Sequence, residues 1–312
     1  DRADPNPTRL VELGHSEHGA NGVVQGPDGD YYVLCGNDAG LDKLGGLDPS
    51  SPVAKVVCGG LLRLSRDGRR REVTAHGFRN PYDFDFNAAG HLFTVDSDNE
   101  RDYALPWYAP TRLFDIAQGC EHGWLQQGWQ QSWNRPPYFY DAQPRLVEIG
   151  RGSPTGVVVY RHRQFPERYR GGVFSACWTF GRIYHFPLSQ NGGRYAATKE
   201  TFLQTTGDVG FAPCDLAVGP AGDLFVAIGG RGTHGGVFRV RYVGGTSNVA
   251  GDATPKNPPH AAPSTVDELT DVLAADQPLA AWSRARWVPT ARKLGCEAFA
   301  AAMFDAARPE SH

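Results

Sequence analysis

Alternating apolar and polar positions recur along the first 243 residues of this 312-residue chain. One phrase appears three times, with a run of alternating residues, a turn rich in Pro, Asn, Asp and Gly, and a second apolar run. Its copies are GVVQGPDGDYYVLCGND (22–38), DFDFNAAGHLFTVDSD (83–98) and DLAVGPAGDLFVAIGG (215–230). Alternation with period two on both sides of a short Gly turn predicts a β-hairpin.

A third apolar strand follows each hairpin, in GGLLRLSRDG (59–68), TRLFDIAQG (111–119) and GGVFRVRYV (235–243), and residues 155–188 form a looser copy of the unit. Sheets of about four antiparallel strands repeated along a chain are typical of a β-propeller. The sequence therefore predicts an all-β fold, a β-propeller of four-stranded blades. Because an open array leaves sheet edges exposed, we interpret the blades as an incomplete set of a six-bladed ring, with others upstream of residue 1.

The pattern changes after the last predicted strand. Residues 244–263 are rich in Gly, Pro and Ala and predict a linker. Residues 264–312 have helical spacing, with predicted helices over 265–274 and 278–294. We therefore divide the chain into a propeller domain (1–243), a linker and a short α-helical segment, and expect the helices to pack loosely or not at all on the propeller.

Composition narrows the class of protein. With 21% charged residues and a net charge of −3, the chain lacks the basic character of nucleic-acid-binding proteins. No apolar run approaches the ~18 residues of a transmembrane helix, and no signal peptide is visible. The six cysteines form no C-x-x-C pair, which excludes a c-type haem attachment motif within this chain.

The chemistry suggested by the sequence is concentrated around the second hairpin. An Arg79-Asn80-Pro81 turn precedes it. The loop after it gathers four carboxylates, those of Asp96, Asp98, Glu100 and Asp102. Like charges this close raise one another's pKa values, and a bound calcium ion, which prefers oxygen ligands, would relieve the repulsion. A solvated surface loop and an ordinary turn remain the alternatives.

Three segments resemble the glucose/sorbosone dehydrogenase family, soluble quinoprotein aldose dehydrogenases that use pyrroloquinoline quinone and calcium. HGANGVVQGPDGDYYVLCGN places His18 at the family's histidine ahead of the hairpin turn. GFRNPYDFDF matches the family's Arg-Asn-Pro turn, and DSDNERDYALPWYAPTRLFDIAQGCEHGW resembles its acidic calcium loop. The chain looks most similar to a bacterial branch of membrane-bound dehydrogenases, in which the propeller precedes HEAT-type repeats and often a c-type cytochrome module.

The resemblance implies a role for three residues. His18 would be the base that accepts the hydroxyl proton of a substrate, because imidazole titrates near neutral pH. Arg79 and Asn80 would hydrogen-bond the quinone oxygen that gains negative charge as hydride arrives. Asp96, Asp98, Glu100 and Asp102 would be the calcium ligands.

The chain departs from the family pattern where cations are expected. Ahead of the strand DLAVGP the family has cationic side chains that hold the acidic cofactor, whereas this chain has Ala212, Pro213 and Cys214. A quinone with three carboxylates needs compensating charge in a desolvated site. Arg182 and Arg231 are the candidate substitutes.

Three functions follow as hypotheses. The first is a sugar or alcohol dehydrogenase-like propeller that transfers hydride to a bound quinone and passes electrons to a c-type cytochrome. The second is a non-catalytic propeller that binds carbohydrate or protein. The third is a calcium-dependent lactone hydrolase. A periplasmic or extracellular location is what the resemblance implies.

Overall fold

The repeated strand pattern forms successive antiparallel sheets. The computed structural model describes residues 5–99, 108–125, 139–207, 210–230, 232–244 and 268–304. Within them the chain folds into four propeller-like blades followed by two α-helices. The predicted all-β propeller fold with a short helical segment is therefore confirmed.

The first two blades are four-stranded meanders. The first blade contains β1 (Ala20–Gln25), β2 (Tyr31–Cys35), β3 (Gly59–Leu64) and β4 (Arg71–Phe78). The second blade contains β5 (Phe84–Phe86), β6 (Leu92–Asp96), β7 (Thr111–Asp115) and β8 (Val147–Gly150). In both sheets the strands are hydrogen-bonded in sequence order.

The third blade has an inserted hairpin and the fourth has three described strands. The third contains β9 (Pro154–Val159), β10 (Val173–Cys177), β11 (Arg182–Phe186) and β14 (Glu200–Gln204). A separate hairpin, β12 (Leu188–Asn191) and β13 (Arg194–Ala197), lies between β11 and β14. The fourth contains β15 (Pro213–Val218), β16 (Leu224–Gly230) and β17 (Thr233–Val240).

One glycine in each repeated phrase explains the hairpin turns. Gly29, Gly90 and Gly222 have φ of 85°, 82° and 81°, a left-handed conformation that residues with a Cβ rarely adopt. Each lies at the same position of its phrase, directly after the turn residue. The predicted hairpins are confirmed at all three positions.

The first strand of each blade is its inner strand, and the inner strands lie side by side. β1 contacts β5, β5 contacts β9, and β9 contacts β15. We call the end at which these four strands begin the site end, and the end at which they finish the helix end. The loops after the second strand of each blade also lie at the site end, because hairpin strands run antiparallel.

Apolar side chains fill the spaces between blades. Phe84 and Phe86 pack with Leu34 and Leu61 between the first and second blades. Equivalent clusters lie between the second and third blades and between the third and fourth. The core therefore consists of separate interfaces between neighbouring sheets, as expected for a propeller.

The outer face of the first blade is covered by the chain itself. Val33, Leu62 and Val73 are buried there in a cluster that includes Leu10 and Leu47 from outside the sheet. Segments before β1 and between β2 and β3 therefore close this side of the molecule.

The two helices are α1 (Glu268–Leu273) and α2 (Ala281–Met303), and α2 is interrupted at Gly295, where φ is 75°. In the part of the chain that the structure describes, no helix has the length and apolar character needed to cross a membrane.

The segment between the helices and the first turn of α2 pack closely on the helix end of the propeller, and the expectation of loose packing was wrong. Gln277 is only 3% exposed, donates to the Val159 carbonyl (3.1 Å) and accepts from the Arg161 N–H. Trp282 Nε1 donates to the Val218 carbonyl (2.9 Å), and Arg284 Nη2 donates to the Gln25 carbonyl (2.9 Å). These contacts satisfy backbone groups at the ends of the inner strands β1, β9 and β15, and the N–H of Arg161 just after β9.

Candidate functional site

The Arg79-Asn80 turn is held by one buried carboxylate. Asp96, at the end of β6, has 0% exposure and accepts hydrogen bonds from the backbone N–H groups of Arg79 (3.0 Å) and Asn80 (2.9 Å). The N–H of Ser97 also donates to Asp96 Oδ1 (2.9 Å). A carboxylate that accepts several backbone bonds is strongly fixed, so the turn has a defined orientation.

A buried arginine balances this carboxylate. Arg112 Nη2 on β7 lies 3.2 Å from Asp96 Oδ2, and the two side chains are 1% and 0% exposed. Burial lowers the pKa of Arg112, and the charge of Asp96 opposes that shift. Arg112 Nε and Nη1 have no hydrogen-bond partner among the described residues. The pair is therefore sensitive to removal of either member, because an unpaired buried charge is costly.

The Arg79 side chain is directed by two contacts. Its Nη1 donates to Ser97 Oγ (2.9 Å), and its guanidinium lies over the ring of Trp124, 5.7 Å from the centroid. A guanidinium over an indole face is electrostatically favourable. Both contacts come from the second blade or the segment that follows β7.

His18 lies next to this turn through a residue that the sequence did not identify. His18 Nδ1 is 2.7 Å from Asn37 Oδ1, and the Asn37 backbone N–H donates to the Arg79 carbonyl (2.8 Å). The amide oxygen of Asn37 can only accept, so His18 Nδ1 carries the proton and Nε2 is the basic nitrogen. The arrangement is that of a base with an orienting partner.

Gly36 makes this approach possible. A Cβ at Gly36 would lie 2.6 Å from the His18 carbonyl oxygen and 3.1 Å from the Arg79 carbonyl oxygen. The loop after β2 thus passes directly between the two predicted site residues. A larger residue at this position would separate them.

Asn80 is also oriented by a neighbouring side chain. Asn21 Nδ2 on β1 donates to Asn80 Oδ1 (3.0 Å) and to the Pro81 carbonyl (2.9 Å). The structure therefore brings His18, Arg79 and Asn80 together at the site end, with His18 and Asn21 from the first blade and its approach segment. Their catalytic roles stay predictions.

The acidic loop is described only in part. Asp96 has the role given above, and Asp98 is buried, accepts from Tyr108 OH (3.3 Å) and lies 3.9 Å from Arg151 Nη1. Glu100 and Asp102 lie outside the described residues. Within the described ranges, no group of three or more His, Cys, Asp or Glu side chains is placed to hold a metal ion. The calcium site stays a prediction.

Of the two proposed substitute cations, Arg182 and Arg231, the structure describes only Arg182. Arg182 is the first residue of β11, the third strand of its blade, and its guanidinium lies over the Phe180 ring at 5.9 Å. It is at the site end but two strands away from the inner strand. Arg231 lies outside the described residues. Cofactor binding by either residue stays a prediction.

A buried, neutral histidine packs against the end of β4, the strand that leads to Arg79. His122 is fully buried, stacks on Phe78 with centroids 4.4 Å apart, and lies within 3.0 Å of the His76 carbonyl through Nδ1. Burial lowers the pKa of His122 to about 3, so its ring is uncharged at neutral pH. We therefore give His122 a packing role next to β4 and no role in the chemistry of the site.

Two cavities lie elsewhere in the molecule. One of about 370 Å³ between the first two blades is lined by residues that include His91 and Asp115, and one of about 430 Å³ beside the helices includes Asp276 and Trp282. Neither is lined by a predicted site residue. We therefore locate the candidate site by the arrangement of His18, Arg79 and Asn80 at the site end and not by a cavity.

Sequence reasoning missed Asn37 and Arg112. Alignment of the repeated phrases offered a signal for the first, since Asn37 occupies the position of Asp98, two residues after the end of the second strand. The repeated phrases give no comparable signal for Arg112, because in the sequence it is one polar residue within a predicted strand.

Comparison with known proteins supports the fold. A family model described as a domain of unknown function, DUF7133, matches residues 9–227. No curated protein matches the chain. Among solved structures, two called glucose dehydrogenase are each 18% identical, with TM-scores of 0.55 and 0.51. A PQQ-bound aldose sugar dehydrogenase from Streptomyces coelicolor is 20% identical, with a TM-score of 0.49.

The matches cover most of this chain but a smaller share of its neighbours. The three alignments cover 74%, 70% and 71% of the chain and 65%, 63% and 62% of the respective structures. The chain therefore spans less than two thirds of the length of these structures. At this level of identity the likeness establishes the propeller fold.

Proposed function

We propose that this chain, which belongs to the DUF7133 family, is a sugar or alcohol dehydrogenase-like propeller whose reacting groups lie at the site end. The observation that carries the proposal is the His18–Asn37 contact of 2.7 Å beside the fixed Arg79-Asn80 turn. Oxidation of an alcohol requires a base for the hydroxyl proton and positive or donor groups where negative charge develops. The groups that would meet these two requirements are connected through Asn37, whose side chain contacts His18 and whose N–H donates to the Arg79 carbonyl.

The chain's own residues would divide the work as follows. His18 Nε2 accepts the hydroxyl proton, and Asn37 holds the imidazole in the tautomer that makes Nε2 basic. Arg79 and the carboxamide of Asn80 stabilise the oxygen that becomes negative during hydride transfer. Asp96 keeps the turn in place through the Arg79 and Asn80 N–H groups.

We propose pyrroloquinoline quinone as the cofactor, because Arg79 and Asn80 supply hydrogen-bond donors at one side of this site. Its quinone oxygens would be held by Arg79 and Asn80, and Arg151, which precedes β9 and lies 3.9 Å from Asp98, is a cation suited to a cofactor carboxylate. Arg182 and Arg231 are the further cations that we propose for the remaining carboxylates. When bound, the quinone supplies the hydride acceptor.

Calcium is the second proposed ligand, held by Asp98, Glu100 and Asp102 with Asp96 at the base of the loop. Bound metal stabilises the folded state by mass action. We expect calcium to raise the melting temperature and the double variant Asp98→Ala/Glu100→Ala to abolish that rise. A wild-type melting temperature that is the same with calcium and with chelator contradicts the site.

The proposal extends to electron transfer and location. We propose a c-type cytochrome as the electron acceptor, a periplasmic or extracellular location, and HEAT-type repeats as the structures to which the helices belong. Reduction of a c-type cytochrome by the reconstituted protein, followed by its absorbance, tests the first point.

The experiment that tests the function is reconstitution with pyrroloquinoline quinone and calcium, followed by dye reduction with a panel of aldoses and alcohols. Turnover in the wild type, its loss in His18→Ala and its retention in His15→Ala support the proposal. His15 is the matched control because it is an exposed histidine three positions away. Absence of turnover with every substrate rejects the dehydrogenase.

A second candidate is a non-catalytic carbohydrate-binding propeller. Ala212, Pro213 and Cys214 stand at the start of β15 where the resembling family has cations, and Ala212 is buried. This observation favours a site that does not hold an acidic cofactor. Binding of sugars in a glycan array, without turnover in the reconstituted protein, supports this candidate.

A further inference from the structure

The cavity of about 370 Å³ between the first and second blades, which we call the side cavity, lies at the helix end, since Phe86 in its lining is the last residue of β5. One wall is apolar and contains Leu61, Phe86, Leu92 and Ile116, which belong to the cluster that joins the two blades. Sites for small molecules usually have volumes of about 300–1,000 Å³. The side cavity is therefore large enough for a small ligand with an apolar face.

A buried carboxylate and a histidine form part of the polar wall of the side cavity. Asp115, at the end of β7, is 3% exposed, and its two oxygens lie 3.2 and 3.3 Å from His91 Nδ1. A carboxylate only accepts hydrogen bonds, so His91 Nδ1 carries the proton, and Nε2 is an acceptor when the ring is neutral. Within the described residues, no other side chain is bonded to the Asp115 carboxylate. Its remaining lone pairs can accept hydrogen bonds from a ligand.

The inserted hairpin of the third blade closes part of the side cavity. Its tip supplies Gly193 and Arg194 to the lining. Tyr195 fixes the hairpin on the second blade, because its OH accepts from Asn87 Nδ2 (2.8 Å) and its ring packs edge-on against His91, with centroids 5.0 Å apart. The four-stranded repeat does not require this hairpin. The side cavity is thus completed by an element that departs from the repeat.

The charges of the lining are offset within the protein. Arg63 forms ion pairs with three carboxylates outside the lining, those of Asp28, Asp30 and Glu72. The lining contains one further carboxylate, that of Asp115, and one further guanidinium, that of Arg194. These two groups have opposite charges. The side cavity therefore presents no excess of one sign to a ligand.

Hydroxyl groups suit this lining better than charged groups do, because a hydroxyl both donates and accepts hydrogen bonds. One hydroxyl can donate to the Asp115 carboxylate while its neighbour accepts from the Arg194 guanidinium. A charged ligand would lose hydration without gaining an excess of opposite charge. The apolar wall suits a ring that has C–H groups on one face, since burial of apolar surface is favourable.

We propose that the side cavity binds a neutral cyclic polyol, such as a pyranoside or a cyclitol. Adjacent hydroxyls of the ring contact Asp115, His91 and Arg194, and one C–H face packs against Phe86 and Ile116. The side cavity is at the opposite end of the inner strands from the candidate site. The proposal therefore goes beyond the function proposed for the site end and does not depend on it.

The first test is the binding of two neutral rings, methyl β-D-glucopyranoside and myo-inositol, to the intact protein by isothermal titration calorimetry. Saturable binding of at least one ring is expected. Sorbitol, which is acyclic, and the charged methyl glucuronide and methyl glucosaminide should bind more weakly. Because binding is measured without quinone and without turnover, a negative result leaves the proposed dehydrogenase function untouched.

Two variants locate the site. Asp115→Asn and Arg194→Ala each remove one charge-assisted hydrogen bond and should weaken binding about tenfold. Arg194 is at the tip of the inserted hairpin, so its variant stays informative even where Asp115→Asn lowers the melting temperature. The matched control is Arg239→Ala, at an exposed position of β17, which should leave the affinity unchanged. His18→Ala should also leave it unchanged, because His18 is at the site end.

The imidazole of His91 gives a direct readout, because it lines the side cavity. In protein whose histidines are labelled with nitrogen-15, the bound polyol should shift the ring resonances of His91, which are identified by their absence in His91→Gln. The ring resonances of His18 should not move.

Three results overturn the proposal. One is no binding of either neutral ring up to about 100 mM. Another is tighter binding of a charged analogue than of the neutral rings, because the offset charges of the lining would then not decide the ligand. The third is an affinity that Asp115→Asn and Arg194→Ala leave unchanged and His18→Ala lowers, which would place the bound polyol at the site end.

Discussion

The two ends of the inner strands are built differently, although they belong to the same four strands. At the site end, Asp96 and Asn37 fix the backbone and imidazole groups around Arg79 and His18, and His18 keeps 15% exposure. At the helix end, Gln277 and Trp282 use their polar atoms to satisfy backbone carbonyls. Polar side chains thus orient the proposed reacting groups at the site end, whereas at the helix end they satisfy backbone carbonyls of the inner strands.

The largest expected effect is on activity and concerns the site end alone. Under the proposed function, His18→Ala removes the proton acceptor and should lower kcat about 10²–10⁴-fold. The melting temperature should change little, because His18 is near the surface. Steady-state dye reduction and thermal melts of the same sample separate the two effects. Equal turnover of the variant and the wild type removes His18 from the mechanism.

The next effect should be on stability, although the change is also made at the site end. Asp96→Ala leaves Arg112 buried without its partner and frees the Arg79 and Asn80 N–H groups. We expect a loss of about 3–5 kcal/mol in the free energy of unfolding, measured by urea denaturation. Asp42→Ala, at an exposed position, is the control and should stay within about 0.5 kcal/mol. A small loss in Asp96→Ala means that water replaces the carboxylate.

At the helix end, Gln277→Ala leaves two backbone groups without a partner, the Val159 carbonyl and the Arg161 N–H. We expect the free energy of unfolding to fall by about 1–3 kcal/mol for each of them. Because this end has no proposed chemistry, kcat should be unchanged. Urea denaturation and limited proteolysis measure the effect, and the exposed Arg292→Ala is the control. If Gln277→Ala lowers turnover without lowering stability, the two ends are not as separate as the structure indicates.

A further effect on stability should depend on pH and lies between the ends, at the joint between the second and third blades. Burial raises the pKa of Asp83 to about 7, above the ~3.9 of an unfolded chain. A raised pKa in the folded state contributes stability below about pH 4 that is lost as pH rises through about 7. Asp83→Asn keeps an acceptor for the Val157 N–H, so it should melt higher than the wild type near pH 8 and equally near pH 4.

The control for this prediction is Asp67, whose pKa is lowered by its hydrogen bond with Ser65. Asp67→Asn should show no such gain at high pH. A constant difference between Asp83→Asn and the wild type across the pH range would show that Asp83 titrates normally.

The strands were predictable because period-two alternation and Gly turns are local signals, and Gly29, Gly90 and Gly222 stand where the phrases placed them. The proximity of His18 and Arg79 was implied by the roles that the resemblance gives them and by their positions beside inner strands. Asn37 and Arg112 were not found, since their roles depend on which loops meet after the blades pack. The docking of Gln277 was missed for the same reason, because a Gly- and Pro-rich composition before a helix says nothing of tertiary contacts.

The contact between Arg284 and Gln25 joins residues that are 259 positions apart in the sequence. Together with the bonds from Gln277 to β9 and from Trp282 to β15, it forms only when several blades already hold their native positions. Contacts with such long sequence separation form late, because closing so large a loop costs entropy before it is rewarded. We therefore expect this region, from the segment between the helices to the first turn of α2, to dock last in folding and to detach first, with the contacts at the site end left in place.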